Sequence, residues 1–171
     1  MRTVRARVIV ASNRAAAGVY EDRSGPILVK RLRDADISVD GPVVVPDGEP
    51  VAAAIRAAIA LEIDVVITSG GTGLTSTDLT PDVTRELIDR EIPGLAEEIR
   101  RFGAHGDGGS GGTPFALLSR GVAGLAGRTL IVNLAGSTGA ARDGMRVLAP
   151  LLGHLVDQIN DGDHRSPEED I

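Results

Sequence analysis

The sequence predicts a three-layer α/β sandwich, a mostly parallel sheet with helices on both faces. Its strand-like runs are unbroken: Val8-Ile9-Val10, Val65-Val66-Ile67 and Leu130-Ile131-Val132 do not alternate with polar residues, as expected of strands covered on both sides. Segments of helical period lie between these runs, so strand and helix alternate along the chain. At 171 residues the chain suits one domain with a sizeable core.

In order, Arg7–Ala11 is the first expected strand, and a polar loop runs from Ser12 to Arg23. Pro26 to Arg33 has helical period. Val43-Val44-Val45 is the second strand, closed by Pro46-Asp47-Gly48. Val51, Ile55 and Ile59, at i, i+4 and i+8, give the next helix one apolar face. Val65–Thr68 is the third strand. Thr80 is the natural N-cap of a helix started by Pro81 and facing inward through Val83, Leu87 and Ile88. Pro93-Gly94 breaks that pattern before a short helix through Arg101. Leu117 to Val122 is read as an additional strand in a hairpin with Thr129–Leu134. The last helix starts near Ser137 and carries Ala141, Met145, Leu148, Leu152, Leu155 and Ile159 inward. Pro150 is expected to bend or restart it. Gly103 to Gly112 reads as a mobile loop. One domain is expected over residues 1–160, with a polar tail at 161–171.

Composition excludes several classes of function. The net charge of −6 lacks the basic face nucleic acid requires, and Tyr20, Phe102 and Phe115 are too few to stack bases. There is no cysteine, so thiolate catalysis and cysteine-bound zinc are out. His105, His154 and His164 share no metal-ligand spacing. No apolar stretch approaches a membrane span, and no secretory h-region follows Met1, so a cytoplasmic location is expected. Lys30 is the only lysine, which argues against a phosphate-gripping lysine.

The run Ser69-Gly70-Gly71-Thr72-Gly73 ends a buried strand, and its small residues let a ligand reach backbone N–H groups. It is not a P-loop, because no Gly-Lys-Ser/Thr follows. In open α/β sheets ligands bind beyond the carboxyl ends of strands, where Ser12-Asn13, Asp47-Gly48, this run and Gly136-Ser137 would converge. Asp78, beside the glycine run, suits Mg²⁺ binding or orientation of a nucleophile. Asp47 has either that role or the capping of the helix through Val51. Asp82 reads as a dipole-favoured residue in the first turn of its helix, and Ser137 as a cap or an anion site. Two carboxylates near a phosphate-accepting loop, without lysine, suit Mg²⁺ held jointly with substrate phosphates. Gly106–Gly111 fits G-x-G-x-x-G and Gly108–Gly112 fits G-x-S-x-G, but neither has the strand–turn–helix flanks those motifs need.

Ser69–Gly73, Asp78-Leu79-Thr80-Pro81-Asp82 and Arg90–Gly94, with Asp22–Pro26, Val45-Pro46-Asp47 and Pro114–Arg120, resemble the signature of the molybdopterin adenylyltransferase (MoaB/Mog) family. The resemblance covers about residues 5–160. It implies adenylylation of molybdopterin by ATP with Mg²⁺, in a homotrimer that hands its product to a molybdate-inserting enzyme. It implies that Asp47 and Asp78 are catalytic and metal-binding, and that Ser69, Gly70, Gly71, Thr72 and Gly73 hold substrate. Ser119 matches a serine of the pterin-binding region. Ser24, Gly136 and Ser137 join them as substrate-binding candidates. Two departures stand out: Ala135 replaces a usual proline, and the Gly103–Gly112 loop is longer than usual. The alternatives are a pterin-binding paralogue without catalysis and a nucleotide hydrolase.

Overall fold

A computed structural model describes residues 3–107 and 111–160. Six strands form one sheet: β1 (Arg5–Ala11), β2 (Ser38–Val45), β3 (Val65–Ser69), β4 (Arg90–Glu91), β5 (Ala123–Ala126) and β6 (Thr129–Leu134), in the order β2-β1-β3-β6-β5-β4. The first four in that order are mutually parallel, and β5 and β4 close one side antiparallel. The helices are α1 (Asn13–Ala16), α2 (Ser24–Asp34), α3 (Glu49–Ala60), α4 (Thr80–Leu87), α5 (Pro93–His105) and α6 (Thr138–Ile159), with a 3-10 turn at Pro114–Leu118.

The apolar strands are continuous because each feeds two cores. Val8, Val10, Ile67, Leu130 and Val132 pack with α2, α5 and α6, whereas Ile9, Ala11, Val66 and Ile131 pack with α3 and α4. This is the expected three-layer arrangement. Each fully buried Val, Leu or Ile contributes about 1.5–3 kcal/mol relative to exposure, so both faces hold the sheet. None of the described helices is long and apolar enough to cross a membrane.

Several boundaries differ from the sequence reading. The Ser12–Arg23 loop contains α1, capped by Ser12 Oγ, which accepts from Ala15 N at 3.1 Å. Strand β2 starts at Ser38 and runs through Gly41-Pro42, with a register slip opposite Arg7–Ile9. An edge strand tolerates the missing proline donor. Helix α4 stops at Leu87, and Arg90–Glu91 then pairs with β5. The loop proposed at Gly103–Gly112 is partly helix: α5 continues to His105, and Gly112 lies so close to it that a Cβ would overlap the Ala104 carbonyl. Residues 108–110 and 161–171, with the tail expected there, lie outside the described residues.

The hairpin partner of β6 is not Leu117–Val122. Leu117 and Leu118 belong to the 3-10 turn, and β5 begins at Ala123, joined to β6 through Gly127 at φ +57°. Helix α6 runs unbroken across Pro150, because buried Leu148 and Leu152 hold the helix on either side while the proline faces solvent. In the same helix Gly153 is exposed, with nothing within 4 Å of an added Cβ. Gly153→Ala is therefore expected to stabilise the protein by about 0.5–1 kcal/mol, read as a melting temperature about 1–4 °C higher.

Candidate functional site

Parallel pairing brings strand ends together: Val10 lies opposite Ser69, Ser69 opposite Leu134, and Ala11 opposite Val45. The glycine run leaves this edge across its neighbours. Gly70 donates to Leu134 O at 2.9 Å, and its φ of +97° turns the chain where a Cβ would overlap the Ala11 carbonyl oxygen. A Cβ on Gly136 would come within 3.2 Å of Gly70 Cα, so the β6 turn rests on the same spot. Gly71, at φ +67°, lies against Asp47 and Thr80, and any side chain there would overlap both. Glycine is thus required by the backbone and by its neighbours.

Past Gly70 the loop divides its polar groups sharply. The carbonyl of Gly71 accepts from Thr80 N at 3.2 Å, that of Thr72 from Arg120 N at 2.8 Å, and that of Gly73 from Arg120 Nε at 2.9 Å. The N–H groups of Gly71, Thr72, Gly73 and Leu74 make no hydrogen bond to any described residue. Backbone donors normally find partners, and a short run of unclaimed ones is an anion-binding feature.

Arg120 is the residue sequence reasoning missed. Its Nη2 donates to Asp78 O at 2.7 Å and to Asp82 Oδ2 at 3.0 Å, and Nη1 donates to Asp82 Oδ1 at 3.1 Å. One guanidinium therefore ties the glycine run, the Asp78 turn and α4 together. The hydrogen bonds from Arg120 hold the Asp82 carboxyl below its ordinary range, and Asp82 in turn raises Arg120. Asp82 is structural, as expected, but through this fork as well as the helix dipole. The signal was present in Pro114–Arg120; it was lost among 17 arginines that look like compositional bias. Arg120→Gln is expected to speed exchange of the hydrogen-bonded amides of Thr75, Asp78 and Leu79 about tenfold, leaving β1, β3 and β6 unchanged.

The two candidate carboxylates differ. Asp47 does not cap α3, whose N-cap is Gly48 with no side-chain bond. It accepts instead from Gly48 N at 2.7 Å and Thr80 Oγ1 at 2.8 Å on Oδ1, and from Leu79 N at 3.0 Å on Oδ2. The N-cap of α4 is Leu79 rather than Thr80, whose hydroxyl is spent on Asp47. Asp78 uses only Oδ2, which accepts from Thr75 N at 2.9 Å and Thr75 Oγ1 at 2.7 Å; Oδ1 meets no donor among the described residues.

Behind them a buried polar chain fixes α4 to the sheet. Asn133 Nδ2 donates to Thr68 Oγ1 at 2.9 Å and to Thr84 Oγ1 at 3.0 Å, and Thr84 Oγ1 donates to Thr80 O at 2.7 Å. The serines fall into three settings. Ser69 Oγ donates to Ser24 Oγ at 2.9 Å, and both residues are buried. Ser119 Oγ donates to Thr72 Oγ1 at 3.1 Å. Ser137 Oγ accepts from Ala140 N at 3.0 Å, so Ser137 caps α6 despite the alanine at 135.

Two cavities meet at Ser137. One, of about 350 Å³, contains Ser12, Tyr20, Asp22 and Ser69. The other, of about 270 Å³, lies between α5, the 3-10 turn and the start of α6, with Ser119 on its lining. Its walls are largely apolar, so it suits a flat ring, and the Ser119–Thr72 bond joins it to the glycine run. No group of three or more His, Cys, Asp or Glu among the described residues could hold a metal on its own. The free oxygen of Asp78, with Asp47 reaching from the β2–α3 loop to the neighbouring Leu79 N, fits Mg²⁺ shared with phosphate, which needs only one or two carboxylates.

Residues 7–154 match a family model described as a probable molybdopterin binding domain. The Mog protein of molybdopterin biosynthesis from Mycobacterium ulcerans is similar in structure, with a TM-score of 0.84 and 44% identity over 94% of this chain and 99% of that one. A molybdopterin adenylyltransferase of Helicobacter pylori is 30% identical, covering 93% of this chain and 89% of the relative. A molybdenum cofactor biosynthesis bifunctional protein of Chlorobaculum tepidum is 38% identical over 94% of this chain. The chain spans 50% of that relative's length.

Proposed function

The chain belongs to the MoaB/Mog family of molybdenum cofactor biosynthesis proteins, and from that premise we propose that it adenylylates molybdopterin with Mg²⁺ and ATP. A terminal phosphate oxygen of the pterin attacks the α-phosphorus of ATP, a new P–O–P bond forms, the α–β bond breaks and pyrophosphate leaves. The observation that carries this reading is the row of unclaimed N–H groups from Gly71 to Leu74, beside a ring-sized apolar cavity. Together they match an anionic tail joined to a flat heterocycle.

In this reading the backbone of Gly71–Leu74 holds phosphate oxygens and Ser119 sits where ring and tail join. Asp78, with Asp47 behind it, would hold Mg²⁺, which offsets charge on the phosphates. Arg120 keeps the loop carbonyls turned into the protein and places a cation near both aspartates. Such transfers gain most from positioning and from electrostatics arranged in advance. Ser24 and Ser69 brace the loop from within, while Gly136 and Ser137 shape the floor between the cavities. The reading also takes the protein as a homotrimer that delivers its product to a molybdate-inserting enzyme; light scattering tests the first point.

Mixing the protein with ATP, Mg²⁺ and molybdopterin is expected to release pyrophosphate in step with adenylyl-pterin. Tight pterin binding without pyrophosphate would instead support a carrier of the pterin.

A further inference from the structure

The apolar cavity carries a carboxylate that nothing above employs. Asp143 lines it from α6, one turn beyond Gly139 and Ala140, which line it too. Asp143 is half-buried and has no hydrogen bond or ion pair with any described residue. Its neighbours are engaged elsewhere: Arg142 Nη1 donates to Thr138 Oγ1 at 3.5 Å, and Arg146 lies 3.8 Å from Asp107. The helix dipole does not account for it, because Asp143 is the sixth residue of α6 and the dipole's effect fades within the first turn. The only cation among the described residues of the lining, Arg100, gives Nη1 to Gly121 O at 2.7 Å and Ser119 O at 3.4 Å.

We propose that Asp143 is the specificity-determining residue of this cavity, accepting the paired N–H donors of a 2-amino-4-oxo-pyrimidine ring. The inference rests on the pterin reading above and names the group that recognises the ring. A pterin presents its 2-amino group and N3–H side by side, and one carboxylate accepts both. Small residues at 139 and 140 leave the ring space beside the carboxylate. An Asp in this position also rejects rings with a carbonyl at C2, since two acceptors would then face each other unpaired.

The probes are 6-hydroxymethylpterin monophosphate and the matching lumazine ester, in which a C2 carbonyl replaces the amino group. Binding is followed by ligand fluorescence with the whole chain. The unaltered protein is expected to prefer the pterin ester by about 10- to 100-fold, and Asp143→Asn to lose most of that preference at an unchanged melting temperature. Equal binding of the two esters, or no binding of either, overturns the assignment without any variant. An undiminished preference in Asp143→Asn overturns it as well. Pyrophosphate release separates this from the catalytic reading: product formed without ring preference removes only the role of Asp143. Ring preference without product removes only adenylyl transfer.

Discussion

Asp78→Asn is expected to lower turnover by about 10²-fold or more while shifting the melting temperature by no more than about 2 °C. The structure makes this substitution unusually clean. Both bonds from Thr75 fall on Oδ2, at 2.9 and 2.7 Å, so a single amide oxygen can accept both. The amide nitrogen then takes the place of Oδ1, which meets no donor among the described residues. Shape and turn are kept, and only the negative charge is lost. Asp47 offers no such separation, because its oxygens hold Gly48, Leu79 and Thr80 and any change there disturbs α4. Steady-state pyrophosphate release beside thermal melting is the check. Parent-level turnover in Asp78→Asn would remove Asp78 from the chemistry.

Gly70→Ala is expected to cost about 2–4 kcal/mol and to abolish phosphate binding, with a melting temperature about 4–16 °C lower. Two effects add. Alanine is strained at φ +97°, and its methyl group would overlap the carbonyl oxygen of Ala11 on a strand that cannot retreat. Ala11 is fixed by pairing with Val45 of β2 and by burial in the core under α3. Relief must come from the loop, which would pull its N–H groups out of register. Gly153→Ala, on open helix surface, is the matched control of opposite sign. Thermal unfolding of both variants decides it, and a Gly70→Ala protein as stable as the parent would show that the loop has slack.

Much of this was legible in the chain. Strands buried on both faces betray themselves by unbroken runs, so β1, β3, β6 and the layers followed from Val8–Val10, Val65–Ile67 and Leu130–Val132. The glycine run was readable because positive φ and close backbone approach leave few other residues possible at 70 and 71. What stayed hidden depends on contacts between distant segments. Strand β4 has two residues and exists only because β5 lies beside it. Thr80 looked like a cap, yet its hydroxyl goes to Asp47, 33 residues away. Arg120 reaches Asp82 across 38 residues, a link no local pattern encodes. The cavity is likewise assembled from α5, the 3-10 turn and α6, so Asp143 gave no sign of itself.

A crystal structure with Mg²⁺ and a non-hydrolysable ATP analogue tests most directly whether the unclaimed amides hold phosphate. Phosphate oxygens are expected within about 3.2 Å of at least two of the nitrogens of Gly71, Thr72, Gly73 and Leu74, with Asp78 Oδ1 facing the metal. Phosphates bound elsewhere, with those four amides turned to protein or solvent, would contradict the account.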